Sequence, residues 1–183
     1  MSPARSLSNR SPMAAGDATL GLTLRLACAL ALSCAACGGN GSSLEGSLGA
    51  DVPLDFTAVS VEQSSNAIAI LYTKDLPGGA SADLVLKITA TTTGITLTGP
   101  LTIDLTEKVA NQPRGAVSRA VSGDARRDFP TLLRGSITLS QAPRVDSHIS
   151  GSFTVTFNNT GGSLGAGKTA FGDFSATLKA AGQ

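Results

Sequence analysis

A nucleotide-binding string stands near the C-terminus. Gly162, Gly167, Lys168 and Thr169 satisfy the spacing G-x-x-x-x-G-K-[ST]. In that motif backbone amides wrap the phosphates, the Lys meets the β/γ-phosphates and the hydroxyl meets magnesium. The chemistry needs a helix after the last residue. Residues 170–178 instead alternate in a strand-like way, with Gly172 early and no helical face. The string therefore reads as a Gly-rich hairpin loop, and no nucleotide is expected there.

His148 is the only imidazole, and it directly follows Asp146 and Ser147. Catalytic triads converge from distant segments, whereas neighbours on a strand point to opposite faces. His148 should share the polar face of Ser150 and Ser152 and be solvated. One His and three Cys supply no metal-ligand set, no cofactor site and no catalytic constellation, so the chain reads as a non-enzyme. Fourteen basic residues against thirteen acidic ones leave a formal charge of +1, which provides no basic field for nucleic acid. Five arginines do cluster in sequence: Arg114, Arg119, Arg126, Arg127 and Arg134. They are candidates for an anion patch facing phosphate, glycan carboxylates or lipid headgroups. A solvated loop with a charge-guarded strand edge needs the same residues.

The N-terminal residues read as an address. Arg5, Arg10 and Arg25 precede the apolar run 26–32, which ends in small residues and then in Cys37, Gly38 and Gly39. A basic region, a short apolar stretch and a small-residue junction describe a secretory signal. The run is too short to span a bilayer, which takes about 20 apolar residues. All three cysteines fall here, at Cys28, Cys34 and Cys37. The segment resembles the signal of bacterial lipoproteins, in which a Cys after small residues closes the apolar run. That resemblance implies a thiol carrying diacylglycerol, cleavage before it and a fatty-acylated, palmitate-type N-terminus. Cys37 is the favoured acceptor and Cys34 the alternative. On this reading 1–36 is the signal peptide, 37–50 a lipidated Cys with a flexible Gly/Ser tether, and 51–183 the domain. Gly38 in place of an Asp implies the outer membrane, with the domain facing the periplasm or the cell surface.

Beyond position 50 the dominant period is two. Odd positions from Ile95 to Leu105 are apolar or Gly, and even ones are Thr, Asp or Pro. The same alternation runs from Ile149 to Phe157. Three segments look alike, each opening on a glycine: Gly135 before Ile137 and Leu139, Gly151 before Phe153 and Val155, Gly172 before Phe174 and Ala176. Strands are expected over 53–62, 66–73, 82–92, 94–106, 115–122, 132–140, 147–158 and 169–179, with a break or bend at Pro100. The fold class is all-β: an antiparallel meander forming a β-sandwich or small β-barrel of about seven to nine strands. Leu97, Leu101, Ile103, Leu105, Ile137, Leu139, Ile149, Phe153, Val155, Phe157, Phe174, Ala176 and Leu178 should face its interior. Thr96, Thr102, Ser136, Thr138, Thr154, Thr156 and Thr177 should be wet. A transmembrane barrel needs aromatic girdles, and the chain has no Trp and a single Tyr.

These features point to a lipid-anchored, non-enzymatic module of the cell envelope, binding an envelope protein or glycan or serving as a structural part. The alternative is a carrier holding a small apolar ligand in a barrel cavity. A filled core with a flat Thr-rich surface distinguishes the module from the carrier.

Overall fold

The computed structural model describes residues 41–183, apart from 80, 127, 128, 162 and 183. Cys28, Cys34, Cys37 and Arg127 lie outside the described residues. The strands are β1 (Ala58–Gln63), β2 (Ala67–Asp75), β3 (Ala82–Thr91), β4 (Leu101–Asp104), β5 (Lys108–Val109), β6 (Gln112–Pro113), β7 (Gly115–Ala120), β8 (Leu132–Leu139), β9 (His148–Phe157) and β10 (Thr169–Ala180). Eight of them form one sheet in the order β4-β8-β9-β10-β1-β2-β3-β7, which curls until it is nearly closed into a barrel. The short β5 and β6 pair separately as a hairpin whose turn residues, Ala110 and Asn111, take φ of 48° and 66°. Positive φ at both central positions gives a turn that follows the natural strand twist.

The sheet is mixed rather than a pure meander. β1-β2-β3 and β8-β9-β10 are two antiparallel meanders, and the first and last strands join them in parallel, Val61 opposite Leu178. Parallel neighbours need a long connection, and here nearly the whole domain supplies it. The run 94–106 is a strand only over Leu101–Asp104, because Gly99 (φ 76°) and Pro100 interrupt it. Segment 53–57 is irregular, yet its Leu54 and Phe56 are buried.

Alternation decides what lies inside. Ile103, Leu105, Ile137, Leu139, Ile149, Phe153, Val155, Phe157, Phe174 and Leu178 are all buried, whereas Leu97, Leu101 and Ala176 are half-buried. Outward, Thr96, Thr102, Thr138, Thr154 and Thr177 are exposed, and Ser136 and Thr156 half so. The repeated glycines have a packing cause. Gly151 pairs across the strands with Phe174, and Gly172 with Phe153. A Cβ at Gly151 would come 2.6 Å from the Phe174 ring and would also overlap the Thr138 carbonyl. One at Gly172 would come 3.1 Å from the Phe153 ring and would overlap the Ser43 carbonyl. Each ring thus lies over a position that only glycine leaves open, which lets the sheet curve tightly.

The segment expected to be a flexible tether is folded from Ser42 onward. Ser43 and Glu45 donate backbone N–H groups to the Asp173 and Phe171 carbonyls, and Glu45 accepts from the Phe171 N–H. The hydroxyls of Ser42, Ser43 and Ser47 accept from the N–H groups of Ser175, Asp173 and Thr169. The serines that suggested a linker therefore satisfy donors along the edge of β10, which would otherwise be unpaired. Leu44 and the 3-10 residue Leu48 bury themselves completely in the core.

Two substitutions separate an integral segment from a tether. Leu48→Ala should cost about 2–5 kcal/mol in urea unfolding, as for any fully buried Leu. Thr154→Ala on the outer face should stay within about 0.5 kcal/mol. A neutral Leu48→Ala would return residues 42–50 to linker status.

Candidate functional site

On the outer face of the β4-β8-β9-β10 half, cross-strand register stacks polar residues into rows. Thr102, Thr138, Ser152 and Asp173 form one row, with the Thr102 and Thr138 hydroxyls 3.2 Å apart. Asp104, Ser136, Thr154 and Phe171 form the next, extended by Glu45 opposite Phe171. Ser150 faces Ser175 on the other side of the first row, and Arg134 opens a row beyond the second. An open groove of about 390 Å³ runs over this face, lined by Thr138, Ser140, Ser150, Ser152, Asp173 and Ser175, with Gly151 and Phe174 at its floor. Such a volume falls within the range of ligand sites. His148 stands at its margin, exposed, with Nε2 3.3 Å from the Ser175 hydroxyl.

The face is fixed from below. Tyr72 is fully buried and donates its hydroxyl to the Asp173 carbonyl at 2.9 Å, while the Asp173 carboxylate points out to accept from the Ser43 hydroxyl. Burial, and then the neighbouring Asp173, push the Tyr72 phenol well above its ordinary value, so it stays protonated and donating. Below the sheet, Phe56, Tyr72 and Phe153 contact one another edge-on and tilted, with centroids 5.0 and 5.8 Å apart. Phe129 stacks on Phe157 at 4.9 Å. Phe56, Tyr72, Phe153 and Phe157 are buried in the core, and Phe129 is half-buried against it.

The four described arginines of the cluster, Arg114, Arg119, Arg126 and Arg134, have separate surroundings. Arg114 is buried just before β7 and spends its guanidinium on Glu107 and on the Thr91 and Thr93 carbonyls, at 2.7–3.0 Å. Arg119 is buried near the other end of β7, bonded to Asp124 and reaching the Pro53 carbonyl. Arg126 grips both Asp124 oxygens, at 2.9 and 3.0 Å, and Arg134 is an exposed member of β8. The inward face of β7 holds Arg119, and the carbonyls at the end of β3 hold Arg114. Arg119 and buried Asp83 also line a pocket of about 250 Å³ beside Pro53, Lys74, Leu76 and Val121.

Residues 163–168 of the Gly162–Thr169 string lie in the connection from β9 to β10, as the alternating continuation implies. Thr169 opens β10 instead of a helix, and its N–H goes to Ser47. Lys168 pairs with Asp51 at 3.8 Å, and the Gly165 N–H donates to the same carboxylate. Asp146 pairs with Lys179 at 3.5 Å. No protein-family model, curated protein or solved structure matches the chain.

Three carboxyls are held below the usual carboxylate range. Asp124 is lowered by the Arg126 side chain and N–H, Asp83 by the Ser122 N–H and hydroxyl, and Asp104 by the Thr106 hydroxyl and N–H. A carboxyl with a depressed folded-state pKa stabilises fully above its unfolded value, about 3.9, and loses that contribution as pH falls through the folded value. Thermal midpoints should therefore hold steady from neutral pH to about 5 and fall below about 4. Asp124→Asn should lower the midpoint at neutral pH and make the acid drop smaller. An unchanged acid profile in Asp124→Asn would show that this carboxylate does not govern it.

Proposed function

We propose that the chain is a lipid-anchored, non-enzymatic β module of the bacterial cell envelope, attached to the outer membrane through Cys37, with Cys34 as the alternative acceptor. The observation that carries this reading is the division of the barrel. Its inner face buries Phe, Tyr, Leu and Ile side chains, and its outer β4-β8-β9-β10 face is a polar surface rich in hydroxyls with an open groove across it. A barrel whose apolar side chains turn inward has its polar outer surface to offer to a partner.

The folded N-terminal segment refines how such an anchor works. Ser42 is already fixed to β10, so only positions 38–41 separate it from Cys37. At roughly 3.3–3.6 Å per residue the reach is at most about 18 Å, which holds the barrel near the headgroups rather than on a long leash. Several acyl chains at about 0.8 kcal/mol per buried methylene make that attachment firm.

In cells expressing the full chain, Cys37→Ser should move the protein from the membrane fraction to the soluble one. The mass of the mature N-terminus identifies the acylated residue. Retention of Cys37→Ser on membranes, with Cys34 unmodified, would overturn the anchor.

A further inference from the structure

We infer that the outer face of β4-β8-β9-β10 binds an uncharged polysaccharide chain, with Phe171 as its stacking platform and the hydroxyl groove as its polar track. This deepens the module reading by naming the partner chemistry of the same surface, and it rests on that reading.

A sugar ring offers C–H bonds on its flat face and hydroxyls at its rim. A surface that recognises it needs an exposed aromatic plane beside small donors and acceptors and a carboxylate. Phe171 is 44% exposed although it lies mid-strand in an otherwise polar row, and nothing in the core requires it there. It stands between Thr154 and Glu45 across the strands and two residues from Asp173, the carboxylate of the groove. Ser and Thr hydroxyls donate and accept with free rotation, so they can follow the alternating donors and acceptors of a glycan rim. The groove is open at its surface, as a polymer passing over it requires.

Charge selects among polymers. The two central rows hold Asp104, Asp173 and Glu45 and no Lys or Arg; Arg134 stands one row out. Polyanions such as nucleic acid, acidic glycans or anionic lipid surfaces meet like charge there. A neutral chain meets none, and its hydroxyls can donate to all three carboxylates. The aromatic plane argues against a simple hydrated surface, because an exposed Phe gains nothing from water.

The test uses the detergent-solubilised full chain, sedimented with insoluble cellulose and chitin, and with phosphocellulose as the same scaffold carrying negative charge. Retention is expected on a neutral polymer and should fall on phosphocellulose. Phe171→Ala and Thr154→Lys, both at exposed positions, should each cut the bound fraction constant about tenfold, while Ser118→Ala on β7 leaves it unchanged. Unaltered thermal midpoints in the variants confirm that they are folded. Absence of retention on both neutral polymers, equal retention on phosphocellulose, or retention that survives both face substitutions would overturn the inference. Membrane fractionation of Cys37→Ser is independent of every one of these outcomes, so failure of the glycan site and failure of the anchor are told apart.

Discussion

Curling an eight-stranded sheet toward closure leaves two edges to be satisfied, and Leu105 joins them. Its N–H donates to the Gly135 carbonyl of β8 at 2.9 Å, and its own carbonyl accepts from the Gly115 N–H of β7 at 2.8 Å. Leu105, just past the end of β4, thereby bridges the two ends of the sheet order at one point. Its side chain, fully buried, occupies the space left by Gly115 and Gly135, where a Cβ would overlap or crowd it. Unpaired edges invite association with other chains, and this closure spares the protein part of that hazard. Arg114 reinforces the same corner by tying Glu107 to the end of β3. The curvature that Leu105 requires is what the glycines at 115, 135, 151 and 172 permit.

The second constraint is the seam between the two meanders. β1 covers only the last residues of β10, from Leu178 on, so the earlier part of β10 has a free side. Residues 42–47 occupy that side with alternating backbone and serine-hydroxyl bonds. Asp173 becomes the meeting point of three layers. Its carbonyl accepts from buried Tyr72 and from the Ser43 N–H, and its carboxylate faces the groove. Core packing, N-terminal docking and the outer polar surface are thus mechanically one unit, and displacement of the N-terminal segment would reach the groove directly.

Much of the barrel was legible from alternation alone. The strands β8, β9 and β10 fall within two residues of their expected bounds, because inner Phe and Ile with outer Thr specify both strand and register. The 42–50 segment was not legible, since Gly and Ser suggest a linker unless a free strand edge stands waiting for their hydroxyls. Leu44 and Leu48 were the available signal: two large apolar residues have little reason to be in a solvated leash. The arginines show a related effect. Charge in an irregular stretch reads as surface, whereas buried Arg114 donates to the Thr91 and Thr93 carbonyls and buried Arg119 to the Pro53 carbonyl and Asp124. The outer rows were half visible. Each Thr was expected to be wet, but only strand order shows that Thr102, Thr138 and Ser152 stand side by side.

The low charge content follows from this division of labour. Charged residues are 15% of the chain, and several are committed inside: Arg114, Arg119 and Asp83 are buried, and Asp124 is spent on two arginines. Burying them costs desolvation, which multiple hydrogen bonds offset, and each then holds one irregular connection in place. With those groups withdrawn, hydroxyls become the main polar group of the outer face. Hydroxyls bind weakly one at a time and carry little long-range steering, so a partner must be engaged by many at once along a surface. The nearly closed barrel holds such a surface ready-made, and the proposed lipid anchor would confine it near a target. The inward commitment of these charges is what leaves the outer face dominated by hydroxyls, the property on which the proposed neutral-polymer site rests.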